Sequence, residues 1–269
     1  MSKASSSSPS QARSPGTHWT WAAWGLALGL VLASLVYAPA RWVQRAAYVA
    51  SGGMVVLEDG QGTLWRGSAT FALAGGGGSR DIVRLPGRVH WDLEAGLGAL
   101  YVRLRADCCT EQALVLEFRP GWRQWSLQLQ PGESHWPAEI LAGLGTPWNT
   151  VQLRGNLNVS TTGLRVASVL QRVQVEGAMT LDAARLSSRL STLRPLGSYR
   201  LQLQGGEAAR LELRTLQGSL QLQGQGQWTA GRLHFEGTAS ADAAHEAELS
   251  NLLNIMGRRD GARSVITLG

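Results

Sequence analysis

Beyond residue 50 the chain alternates apolar and polar residues, and the spacing predicts strands. Tyr199 to Gln204 reads YRLQLQ and stops at Gly205-Gly206. Leu211 to Arg214 reads LELR, Leu220 to Gln223 reads LQLQ before Gly224, and Leu233 to Glu236 reads LHFE before Gly237. Leucine or phenylalanine falls at every second position, with Gln, Glu, Arg or His between. A period of two puts one face against a core and the other against water. Short strands parted by glycine and small polar residues pair as antiparallel hairpins.

The same signature predicts strands at Gly62 to Leu73, Val89 to Leu93, Leu100 to Leu104, Ala113 to Phe118, Trp125 to Gln130, Val151 to Val159 and Val173 to Gly177. Thr161-Thr162-Gly163 is expected to turn the chain into Leu164 to Val166. Pro131-Gly132 and Pro195 to Gly197 read as further turns, the latter a candidate sub-boundary near residue 195. Helix is sparse. Leu186 to Leu193 is expected to form a short one. Ala243 to Met256 places Leu249, Leu252, Leu253 and Met256 on one face, with Gly257 as its cap. The expected fold class is mainly β, in curved antiparallel sheets. They either pack as a sandwich or form a single sheet folded on itself, with the late helix covering an edge.

One stretch breaks the alternation. Trp19 to Tyr37 reads WTWAAWGLALGLVLASLVY and carries no charge. As a helix it reaches about 28 Å, close to the thickness of a bilayer core. Trp19, Trp21 and Trp24 at one end and Tyr37 at the other match interfacial anchors. It reads as a transmembrane anchor over 19–37. A cleaved signal peptide is the competing reading, with Ala38-Pro39-Ala40 as the cleavage site, but the run exceeds a usual apolar leader core. The Ser-rich stretch 1–18 ahead of it cannot build a core and is expected to be a disordered cytoplasmic tail. Residues 38–269 are then the folded body. Basic residues flank the span on both sides, so charge does not fix its orientation. A short tail inside and the long domain outside is the commoner arrangement.

Charge changes little else. The chain of 269 residues has 25 Lys+Arg against 19 Asp+Glu. Four of the basic residues (Lys3, Arg13, Arg41, Arg45) lie in the first 45 positions, which hold no acidic residue. The remainder is nearly neutral with signs interspersed, so nucleic acid is not an expected partner. The two cysteines, Cys108 and Cys109, are adjacent and make no disulfide framework. They read as two small side chains at a turn after Asp107. A vicinal disulfide, or an intermolecular one in an oxidising compartment, is the alternative.

Chemistry is hard to find. None of His18, His90, His135, His234 and His245 has the spacing of a zinc site, and no nucleophile elbow, phosphate loop or dinucleotide fingerprint occurs. Glu133-Ser134-His135 and the pair Glu58-Asp59 read as solvated turns rather than catalytic groups. No cofactor, metal or catalytic residue is expected. The seven tryptophans of the body (Trp65, Trp91, Trp122, Trp125, Trp136, Trp148 and Trp228) are either core residues or contact anchors.

Three stretches carry a family resemblance: Gly62 to Gly67 (GTLWRG), Gly218-Ser219-Leu220 with Gly224 to Trp228 and Phe235-Glu236-Gly237, and Leu252 to Gly261 (LLNIMGRRDG) running into Ser264-Val265-Ile266. In this order they resemble the type II secretion system protein N family. The resemblance implies a bacterial inner-membrane protein with a periplasmic domain. It would be a non-enzymatic accessory part of the machine that exports folded proteins across the outer membrane. Implied partners are other type II secretion proteins: the inner-membrane platform and, as a further candidate, the secretin. A weaker likeness to AsmA-like envelope proteins raises a second function, in which the apolar sheet face holds lipid; glycan binding by exposed tryptophan is a third. Trp65 and Arg66 in GTLWRG, with Arg258, Arg259 and Arg263, are the candidate partner contacts. For both stretches a structural role is the competing reading: a tight strand pair for GTLWRG, and a helix stop with a turn for GRRDG.

Overall fold

The computed structural model describes residues 17–79, 81–169, 172–229 and 232–268. The expected disordered tail lies, through residue 16, outside the described residues. The chain divides into two compact units, residues 1–38 and 39–269.

The first unit is a helix, α1 (Thr17–Val36). Apolar side chains occupy its whole circumference, the pattern of a helix surrounded by apolar material. Its window Trp19–Val36 has a mean hydropathy of 1.6, long and apolar enough to cross a membrane.

The second unit is one antiparallel sheet with short helices. It opens with α2 (Arg41–Ala50), followed by β1 (Val55–Gly62), β2 (Arg66–Ala74), β3 (Ile82–Arg84), β4 (Val89–Gly96), β5 (Ala99–Ala106), β6 (Leu114–Arg119), β7 (Gln124–Leu129) and β8 (Gly132–Pro137). A 3-10 segment (Ala138–Leu144) and a single turn, α3 (Trp148–Val151), lead into the two longest strands, β9 (Leu153–Val169) and β10 (Arg172–Ser188). Then come β11 (Gly197–Gly206), β12 (Arg210–Gly218), β13 (Leu220–Thr229), β14 (Arg232–Ala241), α4 (Glu246–Met256), β15 (Arg258–Asp260) and β16 (Arg263–Leu268). The strand order is β1-β2-β4-β5-β6-β7-β9-β10-β11-β12-β13-β14-β16-β15, with β3 on β2 and β8 sharing the edge of β9 with β7. Of the two expected arrangements, the single sheet is the one found.

Several expectations are corrected. Glu133-Ser134-His135 is not a surface turn but part of β8, fixed by the His135 N–H donating to the Cys109 carbonyl at 2.8 Å. Glu58 and Asp59 lie in β1. Thr161 to Gly163 does not turn the chain. β9 runs through it, bent where Gly163 faces β10 beside a register shift at Ala178/Met179. Leu186 to Leu193 is not helical: Leu186 lies in β10, which runs to Ser188, and the hydroxyls of Ser188 and Ser191 accept hydrogen bonds from the backbone N–H of Leu190 and Leu193. Such local side-chain bonds offer the backbone an alternative to helix. Gly257 stands at the C-cap of α4 as expected, though not in a left-handed conformation. Its backbone is extended, and it is needed because a Cβ there would meet the Val265 carbonyl oxygen at 2.2 Å. The sheet continues across residue 195, with β10 and β11 paired from Val175 to Leu186.

The antiparallel order sends the β1–β2, β4–β5, β6–β7, β9–β10, β11–β12 and β13–β14 hairpins to one end of the sheet, called here the tip end. The main core lies toward the other end. There Leu249, Leu252 and Leu253 of α4 pack with Val151, Leu157, Leu186, Leu196, Tyr199 and Leu220. So α4 covers part of the apolar face rather than an edge alone. A second cluster joins Leu85, Ala106, Cys109 and Ile140. A third places Ala40 of the α2 entry on Ala69 and Trp91.

Candidate functional site

GTLWRG is the β1–β2 turn. Gly62 has φ +86, and a Cβ on it would meet the Arg66 carbonyl oxygen at 2.4 Å, so only glycine fits. The Thr63 N–H donates to that same carbonyl at 2.8 Å, closing the turn. Buried Trp91, from β4, donates its indole N–H to the carbonyls of Thr63 (3.2 Å) and Leu64 (3.1 Å). The Leu93 N–H reaches the Trp65 carbonyl at 2.6 Å. Trp65 is half-buried, and the exposed Arg66 guanidinium meets its register partner Asp92 at 2.5 Å. The hydrogen bond to Asp92 strengthens the protonated form of Arg66.

The arginine group lies at the far end of the strand order. Arg258 and Arg259 belong to β15, and Arg263 opens β16 across the Gly261 turn (φ +60). Arg259 folds back on α4, its Nη2 3.7 Å from Glu246. Arg258 and Arg263 are exposed. Two of the five candidate contacts therefore mark one end of the strand order and three mark the other; the fold does not gather them into one site. Close to Arg259, α4 begins at His245, whose Nδ1 is 3.6 Å from Asp242. Among the described residues no group of three or more His, Cys, Asp or Glu converges as a metal site would.

Three features were left open by the sequence pattern or missed by it, the first being which of the alternatives for the cysteines holds. Cys108 and Cys109 are joined in a vicinal disulfide, and Cys109 is buried against the second core. The tryptophans divide: Trp91 is buried at 3% exposure, whereas Trp122, in the β6–β7 loop, is 101% exposed. Leu97, between Gly96 and Gly98 at the β4–β5 turn, is 108% exposed. A large apolar residue inside a turn (Gly96-Leu97-Gly98, Pro120-Gly121-Trp122) was the signal available, since a turn cannot bury it.

The third is the tipward half of the apolar face. Leu100, Phe118, Leu127, Val166, Val175 and Leu203 point to one side of successive strands. All are half-buried, and none joins the three cores. The helices and the 3-10 segment pack mainly on β1 to β3, β9 and β14–β16. The opposite face is polar. Across β11 to β14 a trough of about 810 Å³ is lined by Gln202, Gln204, Glu212, Gln225, Gln227 and His234.

An apolar helix of membrane-spanning length followed by one large antiparallel sheet defines the class: a mainly β protein with an N-terminal helix long and apolar enough to cross a membrane. Its family is that of the type II secretion system protein N, whose model matches residues 53–266, and the chain belongs to it. It is thus a component of type II secretion. No curated protein and no solved structure matches the chain.

Proposed function

We propose that the protein is an inner-membrane accessory component of the type II secretion machine. α1 crosses the membrane once, and the body from residue 38 onward stands in the periplasm. It acts as a non-enzymatic scaffold supporting export of folded proteins, touching the platform proteins through the two ends of its sheet. Family membership across residues 53–266 carries this reading. The ends of the sheet support it: β15 with Arg258 is an edge strand, and the Trp65-Arg66 turn stands at the other end of the strand order, where α2 covers β1 and Gln44 donates to the Leu57 carbonyl. An edge strand presents unpaired backbone groups that a partner strand can take up. Affinity purification of the tagged chain from membranes is expected to recover other secretion proteins, and deletion to reduce exoprotein export. Recovery of none, with export unchanged, would refute it.

A specific observation favours a second reading. The tipward leucine, valine and phenylalanine side chains follow one another across successive strands as an apolar strip outside the three cores. On this reading the strip carries lipid. Native mass spectrometry after mild extraction is expected to find phospholipid on the chain, reduced by Leu127→Glu. A lipid-free protein would count against it.

A further inference from the structure

The folded body begins at its β1–β2 turn. Chain unit 39–269 begins at Pro39, which forms a bridge with Thr63 in the β1–β2 turn. The next residue, Ala40, donates its N–H to the Gly62 carbonyl at 3.2 Å. The body is therefore entered at the tip end. Val36 closes the apolar helix, and three residue steps reach at most about 11 Å. The residue that pairs with the β1–β2 turn is thus three residues from the end of the apolar run in the sequence.

We propose that the β1–β2, β4–β5 and β6–β7 tips rest on the bilayer that holds the anchor, with Leu97 and Trp122 seated among the lipid headgroups. The inference rests on α1 spanning the membrane. From β1 to β7 the sheet takes five inter-strand steps, about 24 Å at roughly 4.8 Å each, so one surface can meet all three tips. Among the described residues of the body, Leu97 and Trp122 are the two most exposed large apolar side chains, and water is a poor solvent for both. The residues around them have the chemistry of a membrane interface. Trp42, half exposed on α2, lies between Arg41 and Arg45, and Trp122 is followed by the exposed Arg123. An indole places an apolar ring and a polar N–H across the boundary, and guanidinium groups pair with phosphate. The tether also holds this surface beside the bilayer at high effective concentration. A free protein partner would lack that advantage. The six hairpin tips differ in this respect: Trp228, also exposed, lies at the β13–β14 tip much farther along the strand order.

The test uses the full chain reconstituted in vesicles of phosphatidylethanolamine and phosphatidylglycerol. Cys108 and Cys109 are bonded to each other, so one added thiol can be spin-labelled. Leu97→Cys and Arg123→Cys report on the tips, and Ala262→Cys, in the β15–β16 turn, on the opposite end. Collision with oxygen and with a water-soluble nickel chelate is read by electron paramagnetic resonance. The tip labels are expected to lose nickel collisions several-fold relative to Ala262→Cys while keeping oxygen collisions. Tip labels as open to nickel as the Ala262→Cys label would overturn the proposal while leaving the anchor intact. Shielding from both reagents that appears only on adding other secretion proteins would overturn it in favour of a protein contact. A chain that fails to float with the vesicles would remove the anchor itself, and this proposal with it.

Discussion

Asp182 and Arg200 face each other on β10 and β11, joined by two bonds, Arg200 Nε to Oδ1 at 2.6 Å and Nη2 to Oδ2 at 2.7 Å. The hydrogen bonds from Arg200 hold the Asp182 carboxyl below its usual range. A lowered folded-state pKa means stability that is complete above the unfolded pKa and is lost as pH falls through the folded one. Asp182→Asn should therefore cost about 1 kcal/mol at neutral pH, the size of a good bidentate pair at a partly wet site. The difference from wild type should vanish in strong acid. Denaturant titrations of both proteins at the two pH values check this, and a difference independent of pH would refute it. Gly177 is a second point of dependence. It has φ +92, and a Cβ there would meet the Gly163 carbonyl oxygen at 1.8 Å. Gly177→Ala should lose more than about 1 kcal/mol, measured as a lower unfolding midpoint. No change would mean the β9–β10 pair repacks freely.

At the scale of elements, α4 and the last strands depend on three leucines. Leu253 is fully buried, and Ser264 donates its hydroxyl to the Leu253 carbonyl at 2.7 Å, tying β16 to the helix. Leu253→Ala should cost about 2–5 kcal/mol and raise hydrogen exchange in β15 and β16 before the rest of the sheet. Uniform exchange would contradict a local role. This helix was legible because its four apolar residues share a face, and the LQLQ-type strands because their period is two. The β9–β10 hairpin was not. Gly163 read as a turn, whereas it lies within β9, facing Ala178 inside one bent pair. β8 was hidden because Glu133-Ser134-His135 has no apolar alternation of its own; β9 and the Cys109 carbonyl supply its order. The candidate contacts were legible as residues but not as a place. Only pairing order puts Trp65 and Arg66 at one end and Arg258 at the other. Alternation alone also cannot separate buried Trp91 from exposed Trp122, because burial depends on what lies across the strand.

At the scale of the molecule, the body offers the two ends of its sheet and one partly uncovered apolar face. On the proposed reading its functional surfaces are extended, as contact with neighbouring proteins and with the bilayer would require. The most direct test is site-specific photo-crosslinking in living cells from positions Arg66 and Arg258, with adducts identified by mass spectrometry. The account predicts adducts to other type II secretion proteins from at least one of the two ends, lost when the platform genes are deleted. Adducts from neither end to any secretion component, in cells that are actively exporting, would contradict it.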